Sequence, residues 1–101
     1  MKFNNRANRC KLIGWVSSDS VEESTYSDFA IEFTIAVERK NELGKPSYKD
    51  FIPIYVSNSK TVQWCKENIR KGLSVECKGE LRKFKNGEFK VCCDEIIIRS
   101  N

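Results

Sequence analysis

The stretch from Lys49 to Lys60, KDFIPIYVSNSK, guides the interpretation of the whole sequence, because it has the pattern of a β-strand with two apolar faces. Side chains alternate between the two faces of a strand. One face is aliphatic, which is typical of a strand packed on a core, whereas the other carries two aromatic rings between the terminal lysines. The two sets are Ile52, Ile54 and Val56 on the first face, and Phe51, Pro53 and Tyr55 on the second.

Length and composition predict one globular domain, residues 1–101, with 40% hydrophobic and 32% charged residues. The formal net charge of +4 is too small to indicate a polyanionic partner by itself. Its distribution is uneven, because nine basic residues stand against four acidic ones between Lys60 and Lys90. This predicts a basic side of the molecule, although such runs are also typical of ordinary solvated surface.

The five cysteines form no CxxC pair, and the sequence contains no histidine. Neither a zinc site nor a thiol protease dyad therefore has its usual ligands or base, and we expect no metal, no other cofactor and reduced, mostly buried thiols. No apolar run has the length of a membrane span, and the first residues lack the apolar core of a signal peptide. We expect a cytoplasmic protein without a membrane partner.

Around the opening stretch, alternation and turn residues predict four more strands. The first covers Cys10–Val16 and bends near Gly14, and the second covers Phe29–Val37. The fourth carries Val75, Cys77 and Leu81, and an Asn86-Gly87 turn connects it to a last strand from Glu88 to Ile98.

A helix is predicted between the third and fourth strands. Ser59 is its expected N-cap, Gly72 its expected stop, and Val62, Cys65, Ile69 and Leu73 form an apolar stripe at helical spacing. Five strands with one helix after the third, in about a hundred residues, are typical of the OB-fold, a five-stranded Greek-key barrel. The predicted fold class is therefore mainly β, an OB-fold barrel with one α-helix.

Five blocks of the sequence resemble successive landmarks of the bacterial single-stranded DNA-binding proteins. They are NRCKLIGWV (Asn8 to Val16), FTIAV (Phe33 to Val37), YKDFIPIYV (Tyr48 to Val56), NIRKGLSVECKGELR (Asn68 to Arg82) and DEIII (Asp94 to Ile98). The blocks follow the family's order and span nearly the whole chain. The resemblance implies an OB-fold that binds single-stranded DNA largely independently of sequence, in replication, recombination or repair.

The resemblance also implies which side chains stack on bases. Phe51 matches a position where family members place a Trp or Phe, and Tyr55 shares its face. Phe84 is the candidate for the aromatic that the family carries on its long hairpin. Tyr48 is a candidate substitute for the Trp that many members have near the place of Asn41, and Pro53 and Ser57 stand where basic and aromatic residues often occur. Trp15, at a position more often polar in the family, is either a further stacking candidate or a packing residue.

Phosphate contacts are expected from basic residues in the first strand, at the helix start, after the G-x-L motif and in the two flanking loops. For each lysine, plain solvated charge is an equally good interpretation. The candidates are Arg9, Arg39, Lys40, Lys45, Lys49, Lys60, Arg82, Lys83 and Lys85.

The sequence contains no catalytic constellation, so we expect a binding protein that is not an enzyme and takes no small-molecule substrate. Homo-oligomers are expected, a tetramer more than a dimer, because an open barrel leaves strand edges to pair. Two alternatives stay open: a primosomal accessory module that works mainly through protein contacts, or an RNA-binding domain. Family members commonly continue into an acidic tail; if Asn101 is the true end, recruitment through such a tail is excluded, and in a piece of a longer chain its absence means nothing.

Overall fold

The computed structural model describes residues 7–18, 21–26, 29–39 and 48–99. Within these ranges the chain forms six strands and one helix. They are β1 (Cys10–Val16), β2 (Glu22–Glu23), β3 (Ile31–Arg39), β4 (Tyr48–Val56), α1 (Ser59–Asn68), β5 (Ser74–Lys83) and β6 (Phe89–Ile98).

The strands form one closed sheet in the order β1-β5-β6-β4-β3-β2, and β1 also pairs with β3. All pairings are antiparallel except the short parallel one between β4 and β6. The predicted OB-fold is confirmed: the five predicted strands are β1, β3, β4, β5 and β6, and α1 follows the third of them. The two-residue β2 lies in a segment that the sequence analysis treated as a polar loop, where it pairs with the start of β3.

The predicted bend of β1 at Gly14 is confirmed and closes the barrel. Strand β1 pairs with β5 as far as Trp15 and with β3 at Trp15 and Val16, so it exchanges partners around the glycine. A Cβ at Gly14 would lie 2.3 Å from the backbone oxygen of Ala36. Only glycine allows the two backbones to approach this closely.

The two faces predicted for β4 are also confirmed. Ile54 and Val56 are fully buried, whereas the Phe51 side of the strand faces outward and Phe51 itself is 63% exposed. Because registered neighbours share a face, the buried side continues onto β3, where Ile31, Phe33 and Ile35 oppose Val56, Ile54 and Ile52. Val62 and Cys65 of α1 and Ile69 just after it pack on the same core.

Both predicted ends of the helix were wrong by a few residues. Asn58 is the N-cap, and its side-chain oxygen accepts hydrogen bonds from the backbone N–H groups of Lys60 and Thr61, whereas Ser59 is the first helical residue. The helix ends at Asn68, because the backbone of Ile69 is already extended. Gly72, with φ of +91°, serves the turn that follows. In the described part of the chain, no helix has the length and apolar content needed to cross a membrane.

The predicted strand Phe29–Val37 needed adjustment at both ends, and the hairpin prediction is confirmed. Phe29 lies in a turn before β3 and is 81% exposed, so the strand begins at Ile31 and continues to Arg39. The Asn86-Gly87 turn joins β5 to β6, with Gly87 at φ of +89° and a hydrogen bond from the Phe84 N–H to the Glu88 oxygen. A register shift at Lys78 and Gly79 leaves Asp94 of β6 unpaired, which is the geometry of a β-bulge.

Candidate nucleic-acid interface

Two aromatic residues flank the barrel's closing seam on its outer face. Ala36 of β3 is paired with Phe51 of β4 on one side and with Trp15 of β1 on the other. Registered residues point to the same face, so the small alanine leaves room between the two rings. The ammonium group of Lys49 lies 5.0 Å from the centre of the Trp15 ring, within the range of a cation–π contact.

Tyr48 extends this region to the start of β4. It is well exposed, and the guanidinium of Arg39 lies 5.7 Å from the centre of its ring. Arg39 also pairs with Asp50 at 3.7 Å. The seam region is therefore made of Trp15, Tyr48 and Phe51, with Arg39 and Lys49 beside the rings.

A second group of rings forms at the β5–β6 hairpin. Phe84 lies between Tyr55 and Tyr26, with ring centres 5.1 Å and 4.8 Å apart and edge-to-face geometry in both pairs. These rings line a cavity of about 380 Å³ whose basic walls are Arg82, Lys83 and Lys85. Phe84, the sequence's candidate for the stacking aromatic of the hairpin, is thus part of an aromatic cluster. Four residues separate Phe51 from Tyr55, so the two regions are about 13 Å apart along β4.

A buried lysine contacts two rings of the hairpin cluster. Lys90 of β6 is only 5% exposed, and its ammonium lies 4.7 Å from the Tyr26 ring and 5.1 Å from the Phe84 ring. Burial disfavours its charge, but the hydrogen bond to Glu32 and the carboxylates of Glu32 and Glu88 outweigh this, so the pKa of Lys90 is raised. Burying a lysine is tolerated because it is paired.

The partner of Lys90 also orders the segment that carries Tyr26. Glu32 of β3 accepts a hydrogen bond from Lys90 and another, of 2.7 Å, from the Ser24 hydroxyl. The same Ser24 oxygen accepts the backbone N–H of Tyr26 at 3.1 Å. The position of Tyr26 beside Phe84 is therefore set by a chain of hydrogen bonds that begins at Lys90.

Near Tyr55, two arginines are paired with carboxylates. Arg9 donates to both oxygens of Asp94, at 2.6 Å and 3.2 Å, and Arg82 donates two hydrogen bonds to one oxygen of Glu80, at 3.2 Å and 2.9 Å. The hydrogen bond from Arg9 lowers the pKa of Asp94 below its ordinary value. Together with Arg39, which pairs with Asp50, all three predicted phosphate-binding arginines thus have an acidic partner in the free protein.

The predicted lysines lie in different surroundings. The ammonium of Lys83 lies 5.9 Å from the centre of the Phe89 ring, and Lys60 and Lys85 are exposed at the start of α1 and in the hairpin turn. Lys40 and Lys45, together with Asn41, lie outside the described residues. For all the predicted stacking and phosphate-binding residues, the role in binding stays a prediction.

Sequence reasoning missed three residues of this surface: Tyr26, Glu32 and Lys90. Tyr26 was part of a segment interpreted as an acidic loop, where its only signal was an aromatic ring among polar neighbours. Lys90 was counted with the basic run and Glu32 with the polar side of a strand. Their pairing depends on which strands are neighbours in the barrel, and no local pattern contains that information.

An OB barrel with exposed rings and basic side chains on the face of its third long strand defines a nucleic-acid-binding class of protein. The model of the single-strand binding protein family matches residues 7–91, so the chain belongs to that family. The resemblance found in the sequence is thereby confirmed. No protein of curated function matches this sequence.

Solved structures share the fold at low sequence identity. The single-stranded DNA-binding protein of Plasmodium falciparum in complex with single-stranded DNA has a TM-score of 0.74 and 19% identity, with 98% of this chain and 100% of that one covered. The mitochondrial single-stranded DNA-binding protein Rim1 of S. cerevisiae has a TM-score of 0.72 and 18% identity, and the match covers 100% of this chain and 98% of that one. A small single-stranded DNA-binding protein from Streptomyces coelicolor has a TM-score of 0.71 and 13% identity, and the match covers 90% of this chain and 91% of that one.

Proposed function

We propose that this protein binds single-stranded DNA, largely without regard to sequence, and acts in DNA replication, recombination or repair. Bases stack on the outer aromatic residues of β4 and the hairpin, and lysines and arginines beside them contact phosphates. Membership of the single-strand binding protein family supports this proposal. The observation that carries its mechanism is Phe51, a large ring left 63% exposed on a strand with a full core on its other side.

Stacking accounts for binding without sequence preference, because every base offers a π-face. In single-strand binders of this fold, truncation of a stacking residue generally costs about 1–3 kcal/mol per base. The basic side chains add attraction to the backbone through counterion release, which depends on salt. The same surface cannot hold a rigid duplex in this way, since the bases of a duplex are already stacked on one another.

The first test is a titration with oligo-dT and with a duplex of equal length, at two salt concentrations. We expect tight binding of the single strand that weakens as salt rises, and much weaker binding of the duplex. Equal affinity for the two, or none for either, would exclude the stacking mechanism. An oligo-rU of the same length tests the RNA alternative, because a protein that uses the 2′-hydroxyl would prefer it.

The variant Phe51→Ala locates the binding face. We expect its affinity for oligo-dT to fall by about 1–3 kcal/mol, because one stacked base is lost. Phe29→Ala is the matched control, since Phe29 is even more exposed but lies in the turn before β3. Stability should change little in Phe51→Ala because the ring is exposed. Equal affinity losses in the two variants would contradict a role specific to Phe51.

The two tryptophans provide an independent signal. Trp15 lies on the seam face beside Lys49, whereas Trp64 of α1 packs against the core. Stacking of a base on or near Trp15 should quench its fluorescence. We expect the quenching to survive in Trp64→Phe and to be lost in Trp15→Phe.

We further propose a homo-oligomer, a tetramer more than a dimer, working in the cytoplasm at the nucleoid. Support comes from β1: the ladder with β3 covers only Trp15 and Val16, and among the described residues no strand pairs with the same edge from Cys10 to Ile13. Ile13 on this strand is 45% exposed. An unpaired edge with an exposed isoleucine favours pairing with a second copy of the chain. The protein acts by binding, so we propose no enzymatic step.

A further inference from the structure

Two cavities join into one groove across β4, β6 and β5. The hairpin cavity of about 380 Å³ and a second one of about 220 Å³ share Tyr55, Arg82 and Cys92 as lining residues. Tyr55 pairs with Cys92, and Cys92 pairs with Glu80, so these residues form a row across the strands. We call the second cavity the helix-side subsite; its remaining lining residues are Ser57, Asn58, Glu80, Cys93 and Asp94.

The walls of the helix-side subsite contain two carboxylates. Asp94 is held by Arg9 and Glu80 by Arg82, in the pairs described above. All four side chains are 40% or more exposed to solvent. Exposed ion pairs of this kind are weak, so either arginine can exchange its carboxylate for another anion at little cost.

The geometry of the Arg9 pair suits a phosphate equally well, and Arg82 likewise directs two N–H donors at one oxygen of Glu80. A guanidinium presents a planar fork of N–H donors that matches two oxygens of a carboxylate or of a phosphate. Arg9 already uses two nitrogens on the two oxygens of Asp94. Tyr55 is the stacking candidate among the lining residues of this subsite, so a base on Tyr55 would bring its phosphate toward the two arginines.

We propose that the helix-side subsite binds a phosphodiester of the DNA strand, and that Glu80 and Asp94 compete with it for the two arginines. This inference rests on the proposed function. In the free protein the carboxylates occupy Arg82 and Arg9. On binding, a phosphate takes over each guanidinium, and the displaced carboxylates remain close enough to repel it. The two acids therefore lower the affinity for single strands below that which the arginines would otherwise provide.

The test replaces each acid by its uncharged isostere. Glu80→Gln and Asp94→Asn should each tighten oligo-dT binding by about two- to fivefold, because each removes a competitor of exposed ion-pair strength and one repulsive charge. The control is Glu67→Gln, which makes the same change in net charge on α1, where Glu67 accepts a hydrogen bond from Gln63. It should change affinity less than either test variant. A gain in affinity cannot result from partial unfolding.

A double-mutant cycle that combines an arginine variant with the variant of its acidic partner tests whether the acid acts through that arginine. In an Arg9→Gln background, Asp94→Asn should give a smaller gain than in the wild type, because the competed guanidinium is absent. If wild type binds oligo-dT but Glu80→Gln and Asp94→Asn weaken binding or match Glu67→Gln, the competition is excluded and the proposed function stands. If wild type binds no oligo-dT, both are overturned.

Discussion

Three cysteine thiols are buried in the core, where the pKa of Cys65 and that of Cys77 are raised, whereas the hydrogen bond with Cys77 lowers the pKa of Cys93. Cys65, Cys77 and Cys93 are buried, whereas Cys10 and Cys92 are half-buried, and all five are free. Burial raises the pKa of Cys65 from its ordinary value of 9.0 to about 12. The hydrogen bond with Cys93, together with burial, also raises the pKa of Cys77. The sequence-based expectation of reduced thiols that act as small core residues agrees with this arrangement.

Cys65 makes stability depend on pH in the alkaline range. Above pH 9.0 the unfolded chain loses the Cys65 proton, while the folded protein keeps it up to about pH 12. The contribution of this thiol is thus fully present below pH 9 and is lost as pH rises from 9 toward 12. We expect the urea concentration at the unfolding midpoint to decrease as the pH is raised from 8 to 10.5. Cys65→Ala should lower the midpoint at pH 8 but reduce its further fall, and identical pH dependence in the two proteins would contradict the assignment.

Two glycines illustrate what a single residue can and cannot reveal. The bend at Gly14 was predicted because a glycine inside a strand pattern suggests a corner. Gly79 has a comparable restriction, since a Cβ there would lie 2.1 Å from the backbone oxygen of Cys92. In the sequence Gly79 was only one letter of a family block. Glycine is required here because the backbone of Cys92 in β6, 13 residues further along the chain, approaches so closely.

At the scale of elements, turns and alternation were predicted well, whereas helix ends were not. Ser59 and Asn58 are both good N-cap residues, and their order along the chain does not decide between them. The structure selects Asn58, because its backbone is extended at ψ of 125° and its side chain reaches two N–H groups of the first turn. Element boundaries depend on such backbone choices, which the core imposes from outside the element.

The helix cap can be tested with neighbouring residues. Asn58→Ala should destabilise the protein by about 0.5–2 kcal/mol in urea unfolding, since two N–H groups of α1 lose their acceptor. Ser59→Ala is the matched control and should stay within about 0.5 kcal/mol of wild type. Asn58→Asp keeps the acceptor and should be well tolerated. The reverse ranking of the two alanine variants would restore Ser59 as the cap.

The contact between Lys90 and Glu32 links β6 to β3 and, through Ser24, to the segment of Tyr26. Lys90→Met should cost about 3–5 kcal/mol, because it leaves a carboxylate without its buried partner. Adding Glu32→Gln should recover part of this loss, since the uncharged amide has a smaller desolvation cost. Urea unfolding of wild type, both single variants and the double variant gives the coupling energy. Additive losses in this cycle would mean that the pair acts through packing alone.

For the whole molecule, barrel closure arranges the surface into two distinct parts. The β1–β3 seam brings Trp15 to Phe51, and the β4–β6 pairing brings Tyr55 beside Cys92 and the hairpin. The residues of β1 that precede the seam, Cys10 to Ile13, provide the edge on which oligomerisation is proposed. The proposed binding face and the proposed oligomer edge therefore both depend on where β1 exchanges partners.

The proposed oligomer has a direct test in the mass measured in solution by light scattering. We expect wild type to be larger than one chain and Ile13→Lys to shift toward the monomer, because a charge would have to be buried in the interface. Leu81→Lys is the control, since Leu81 has similar exposure but lies on β5 near the hairpin. A monomeric wild type, or an equal shift in both variants, would contradict pairing through β1.

Patterns in the sequence were enough to predict the barrel class, the five long strands, the hairpin turn and the outward direction of Phe51 and Tyr55. These features follow from alternation, turn chemistry and family blocks, which act over a few neighbouring residues. The tertiary structure alone decided the partners: Arg9 with Asp94 across 85 positions, Lys90 with Glu32 across 58, and Tyr26 with Phe84. A charged group or an aromatic ring contacts the nearest complementary group, and strand pairing across the closed barrel decides which group is near.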